Sequence, residues 1–175
     1  GLLNLKTTPD CLPYFIKEKN IKLFTEAHVL TETEIFSRYE IILESYCKVI
    51  GIEANTMLDM AKKDILPAVS AYSKELADTA IAKHSLIKDC ACSYEEEILK
   101  EISELTSELY KAVKALEDAV DKATESDVLK LALYYKDVII PAMDAVRAPA
   151  DKLELITAKK YWPFPTYGDL LFGVR

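Results

Sequence analysis

Glycine is scarce in this 175-residue chain, with four copies at Gly1, Gly51, Gly168 and Gly173. So few residues suited to tight turns argue against an all-β fold and for long helices. No two of these glycines form the phosphate-cradling loop that lets backbone N–H groups approach an anion, so no nucleotide site is expected here. Clustered cations are also missing. The 22 Lys and Arg residues are interleaved with 29 Asp and Glu, for a net charge of −7. That pattern excludes nucleic acid as a partner and reads as a solvated acidic surface. No apolar run approaches the ~20 residues needed to cross a bilayer. No basic-then-apolar stretch marks a signal peptide. The four cysteines, Cys11, Cys47, Cys90 and Cys92, are scattered. In a chain this long they read as reduced thiols, and a cytoplasmic location is expected.

What the chain does contain is helical pattern. Apolar residues make up 50% and charged residues 29%, enough to build one core. The expected fold is all-α, an antiparallel helical bundle with long, proline-kinked helices and an extended aromatic C-terminal tail. One helical domain is expected over residues 1–175. Short N-terminal helices fill 1–30, with Thr8 as the first cap ahead of Pro9. A long kinked helix covers 31–83, a helical hairpin 93–123 and 126–148, and a short helix with the tail 149–175.

The signals are local. Thr31-Glu32-Thr33-Glu34 and Ser93-Tyr94-Glu95-Glu96 each read as a capping box, and Ser126 reads as the cap of a third long helix. Ile35, Tyr39, Ile42, Tyr46 and Val49 mark one helical stripe, continued by Ile50, Ala54, Met57, Ala61, Ile65, Ala68, Tyr72, Leu76 and Ala80. Pro67 should kink that helix without ending it. Unbroken, about 50 residues at about 1.5 Å each would give a rod of roughly 75 Å. Residues 84–92 lose periodicity and read as a loop. A heptad stripe follows through Ile98, Ile102, Leu105, Leu109, Ala112, Leu116 and Ala119. Ala148-Pro149-Ala150-Asp151 should interrupt the third helix. Ile65-Leu66-Pro67-Ala68-Val69 also resembles Ile139-Ile140-Pro141-Ala142-Met143, too short an echo to establish a repeat.

The search for chemistry is mostly negative. His28 and His84 follow Thr25 and Ile81 at the position where a bundle metal site would place Glu, so no metal ligands are assigned. Cys90-Ala91-Cys92 is either a structural thiol pair or, less simply, a metal or redox site. Cys11 and Cys47 stand in apolar surroundings and read as inert core thiols. Glu53 and Asp59 lie among apolar residues and read as buried carboxylates, with Arg38 and Arg147 as available cations. No catalytic residue and no cofactor-binding residue is assigned. The candidate contact residues are Tyr161, Trp162, Phe164, Tyr167 and Phe172. This alternation of proline and aromatic cannot be helical through Gly168 and would be a large apolar patch in water. It should lie against the bundle or against another domain.

Several stretches resemble the type III glutamine synthetases. They are Leu2-Leu3-Asn4-Leu5-Lys6-Thr7-Thr8-Pro9, Glu18-Lys19-Asn20-Ile21-Lys22-Leu23-Phe24, Ser37-Arg38-Tyr39-Glu40-Ile41 and Ile52-Glu53-Ala54-Asn55-Thr56-Met57-Leu58-Asp59-Met60. The end, from Trp162-Pro163-Phe164-Pro165 to Phe172, is similar to that family's C-terminal signature. The resemblance implies a C-terminal helical domain of a parent ligase. That parent would turn glutamate, ammonia and ATP into glutamine with a divalent metal, Mg or Mn. Its metal and substrate ligands would lie upstream, so none falls on this chain. The implied partners are the upstream catalytic domain and further copies in a homo-oligomer. The alternative is a free-standing helical-bundle interaction module.

Overall fold

The computed structural model of the chain describes residues 3–87, 89–165 and 167–173. Among them there is no strand, and the all-α class is what is observed. The helices are α1 (Thr8–Phe15), α2 (Glu18–Glu26), α3 (Glu32–Met60), α4 (Leu66–Leu86), α5 (Ser93–Asp121), α6 (Val128–Tyr134), α7 (Ile140–Ile156) and α8 (Tyr167–Phe172). Two π-helical turns, Ala61–Ile65 and Tyr135–Ile139, join α3 to α4 and α6 to α7. Among the described residues no helix is long and apolar enough to cross a membrane. The chain divides into two compact units, Gly1–Asn55 with Glu117–Ala142, and Thr56–Leu116 with Met143–Arg175.

Helix starts follow local chemistry, sometimes one residue away from the expected cap. At α3 the capping box forms as read. The Thr31 N–H donates to Glu34 Oε2 at 2.8 Å, and the Glu34 N–H donates to Thr31 Oγ1 at 3.3 Å. Those bonds hold the Glu34 carboxyl below its ordinary range. At α1 the cap is Thr7 rather than Thr8, and its hydroxyl donates to Asp10 Oδ2 at 2.5 Å. At α5 Ser93 already lies inside the helix, and the Glu96 N–H donates to the Cys92 carbonyl at 2.9 Å. Burial of Cys92 and Glu95 fixes that earlier start. At α6 the cap is Asp127 rather than Ser126, its carboxylate accepting from the Lys130 N–H at 2.9 Å. An anionic acceptor suits the positive end of a helix better than a hydroxyl does.

In the first unit, α1 packs on α2 and on α6. Leu12, Leu43, Cys47 and Ala132 form a buried cluster, with Phe15, Tyr39, Tyr46, Leu131 and Tyr135 packed around it. The Lys136 ammonium donates to Asp10 Oδ1 at 2.8 Å and ties the start of the unit to its last segment. That pairing lowers the Asp10 pKa and raises the Lys136 pKa. Gly51 sits inside α3, where glycine weakens a helix. A Cβ there would meet Tyr135 Oη at 3.1 Å, so the tyrosine uses the space that glycine leaves.

The buried face of α3 follows the expected stripe at Ile35, Ile50 and Ala54 but shifts in the turns between them, where Leu43 and Cys47 are buried and Ile42 and Val49 are exposed. The run Ile41-Ile42-Leu43 and the pair Val49-Ile50 offer apolar residues on two faces, so periodicity alone could not choose between them. In the second unit the reading was closer. Leu58, Ala61, Ile65, Val69, Tyr72 and Leu76 form one buried stripe. Ile102, Leu105, Leu109, Val113 and Leu116 form another, and Val146, Pro149 and Leu153 a third.

Helix α7 continues through Pro149, contrary to the expected interruption. Proline removes one backbone bond, but this ring is buried, and its packing offsets that loss. At Pro67 and Pro141 the backbone acts differently. In each case the residue just before proline donates five residues back, from Leu66 to the Ala61 carbonyl and from Ile140 to the Tyr135 carbonyl. The sequence echo is therefore also a backbone echo.

Leu109 is fully buried and Leu155 is 85% exposed. Leu109→Ala should cost about 2–5 kcal/mol in urea unfolding. Leu155→Ala should stay within about 0.5 kcal/mol of wild type.

Candidate functional site

The expected contact strip begins where α7 ends, in the second unit. Residues 158–165 are non-helical, as their prolines require, and α8 then restores helix over Tyr167–Phe172. The strip is held at one end by α4. Tyr72 and Glu75 are three residues apart on that helix and so share a face. The Tyr161 ring lies against the Tyr72 ring, with centroids 5.6 Å apart. The Lys160 ammonium straddles the Glu75 carboxylate at 2.7 and 2.6 Å, and the Tyr161 hydroxyl donates to the same carboxylate.

The electrostatics follow from that geometry. The Lys160 and Tyr161 donors hold the Glu75 carboxyl below its ordinary range. The same carboxylate raises the Lys160 pKa and makes the Tyr161 phenol harder to ionise. Burial, reinforced by the Tyr94 hydroxyl, pushes Tyr72 up to about 12. Side chains of this pair remain substantially exposed, so the anchor positions the strip more than it stabilises the unit.

Beyond the anchor the strip opens outward. Trp162 and Phe164 are half-buried and meet edge to face, with centroids 6.3 Å apart. Phe172 is 79% exposed, alongside exposed Leu170 and Leu171. Lys159 donates to Asp169 Oδ1 at 2.5 Å and ties α8 back to the strip. The side chain of Tyr167 lies outside the described residues, as does Leu2. Leu3 and Leu5 are exposed. The structure thus brings Tyr161, Trp162 and Phe164 together and leaves Phe172 facing outward. Sequence reading missed Tyr72 and Glu75 as the anchor. They lie some 85 residues before Lys160 and Tyr161, and no spacing rule links them.

The other candidates settle elsewhere. Cys11 is exposed, not a core thiol, because it sits beside Leu12 in sequence but not on its face of α1. Cys47 is buried, and burial raises its pKa. Cys92 is buried next to half-buried Cys90, and its thiol is likewise pushed up by desolvation. Glu53 and Asp59 are exposed rather than buried, and Asp59 accepts from Lys63 at 2.7 Å. Both lie on the side of α3 away from the buried Ala54 and Leu58. Arg147 pairs with Asp151 at 3.2 Å. Among the described residues no three His, Cys, Asp or Glu side chains gather to hold a metal.

An outward-facing apolar end is a feature that contact surfaces share. The family model "Glutamine synthetase C-terminal domain" matches residues 1–84. A glutamine synthetase of Butyrivibrio fibrisolvens is 40% identical across the whole of this chain. A type-3 glutamine synthetase of Dictyostelium discoideum is 34% identical over 98% of it, and a glutamine synthetase of Bacteroides fragilis (strain YCH46) 25% over 98%. Residues 1–84 thus match the glutamine synthetase C-terminal domain family, and the similarity to these relatives runs on through the rest of the chain. It spans about a quarter of the length of these relatives.

The lowered Glu75 pKa sets a pH window for the anchor. Its contribution is fully present above the ordinary carboxylate value of 4.5 and is lost as pH falls through the depressed folded value. Trp162 is the chain's single tryptophan, so its fluorescence reports on the strip. Acidification below 4.5 should shift its emission to the red before the helical circular dichroism falls. Glu75→Gln should give the acid-side emission already at neutral pH.

Proposed function

We propose that this chain is the non-catalytic C-terminal helical domain of a glutamine synthetase, packing on an upstream catalytic domain and supporting assembly of the oligomer. The observation that carries this reading is the quarter-length match to glutamine synthetases, coupled with an apolar end exposed on the part in hand. An apolar strip held in place by a specific anchor, yet uncovered at Phe172, fits a surface completed by another part of the parent.

In this reading the parent works in the cytoplasm. It activates the side-chain carboxylate of glutamate with the terminal phosphoryl group of ATP, and ammonia then displaces phosphate to give glutamine. Mg or Mn would serve the upstream ligands. Among the described residues no donors gather into a set for that metal, and no step of the reaction is assigned to this chain.

Two measurements test the proposal. In the full-length enzyme, Trp162→Ala should lower the assembled fraction on size-exclusion chromatography and lower glutamine formation with it. An unchanged oligomer with unchanged activity would count against the reading. For the chain by itself, titration calorimetry should show no stoichiometric heat with ATP up to millimolar nucleotide. Tight one-to-one binding would place chemistry here after all.

A further inference from the structure

The outer face of α3 carries apolar residues that the described fold leaves uncovered. Ile41, Ile42, Val49 and Ile52 are 61%, 43%, 50% and 67% exposed. Positions 41, 45, 49 and 52 follow one another at helical spacing, so Ile41, Ser45, Val49 and Ile52 form a continuous strip with Ile42 at its edge. Isolated exposed apolar residues are ordinary, but a run on one face marks a contact surface. The residue types sharpen the point. All four are β-branched, which costs side-chain freedom in a helix and gains nothing in water. Neither helix formation nor solubility accounts for them.

The strip borders a depression. Ile52 also lines an open groove of about 430 Å³ with Cys47, Gly51, Val128, Leu131 and Tyr135. Glu44, Lys48 and Asn55 complete its lining. An exposed apolar strip beside a groove that is apolar within and polar at some of its walls is the arrangement that receives side chains from a second surface.

We infer that the strip and groove of α3 seat the upstream part of the parent's own polypeptide, through apolar side chains that fill the groove beside Ile52. This inference rests on the reading of the chain as one domain of a longer synthetase. The chain spans 24–25% of the length of its relatives, so about three quarters of such a parent lies outside this structure. The matched C-terminal-domain region, residues 1–84, contains the whole of α3. Contact area favours a tethered partner over a second copy. Four side chains fall well short of the roughly 800 Å² per partner that stable association of free proteins needs. A covalently linked partner needs less, because linkage supplies an effective concentration in the millimolar range.

The test uses the full-length parent. Ile41→Cys and Ile52→Cys are introduced singly, and maleimide labelling of each site is followed by peptide mass spectrometry. Docking should slow labelling at least tenfold relative to the same site in urea-unfolded parent. Labelling within threefold of the unfolded rate overturns the inference. Lys48, on α3 beside the groove, identifies the cover. Parents grown in light and heavy nitrogen are co-assembled and treated with a lysine-reactive cross-linker. Links from Lys48 to upstream residues of the same isotope support the inference, and mixed-isotope links assign the surface to a second copy and overturn it. If Trp162→Ala still disrupts assembly while Ile52→Cys labels freely, this inference alone falls and the docking-domain reading stands.

Discussion

A proline within a helix has no N–H to donate and a ring that crowds the carbonyl four residues before it, and this chain must pass that obstacle without breaking its buried faces. The buried stripe that begins on α3 continues through Ile65 and Val69 to Leu76 on α4, with Pro67 in its midst. A break there would divide one amphipathic surface between two separate helices, each with fewer apolar residues to bury. The π turn ahead of Pro67 widens the backbone where the ring needs room, and the Leu66 N–H still finds a carbonyl. The same arrangement precedes Pro141. At Pro149 burial of the ring takes the place of backbone widening.

This pair of solutions shows what was legible in the sequence. The helical class, the Thr31–Glu34 box and the α5 stripe each depend on residues a few positions apart, and local spacing records them. Continuity through Pro67 could be read from the periodicity around it, but the π turn could not, since it is a choice between two backbone hydrogen bonds. Pro149 was misread because the sequence does not show that its ring is buried. On α3 the expected stripe holds at Ile35, Ile50 and Ala54 and fails at Ile42 and Val49, because two faces are apolar there and only the partners Leu12 and Ala132 decide which one is enclosed. The contact strip could be recognised as apolar and, up to Pro165, non-helical; the return to helix at Tyr167 and Gly168 in α8 runs against the expected extended tail. Its anchor on Tyr72 and Glu75 is a tertiary meeting across some 85 residues and leaves no local trace.

The match to the glutamine synthetase C-terminal domain family gives these surfaces a common setting. The end of the chain and the outer face of α3 belong to different units, and each exposes apolar residues that its own unit does not use. Several charged residues stand in exposed pairs one helical turn apart, such as Glu44 with Lys48 and Asp59 with Lys63. Such pairs add little stability but keep a largely helical surface soluble.

The buried carboxylate of Glu95, met by the Lys83 ammonium, has a further consequence. These two residues stand at the end of α4 and the start of α5, so they close the base of the connection between them. With the base fastened, the entropic cost of a longer connection grows only slowly with its length. The tip of that loop is therefore a permissive place in the chain. A fluorescent tag, an affinity peptide or a protease site inserted there would extend outward from a fixed pair of stems, while both helices kept their partners.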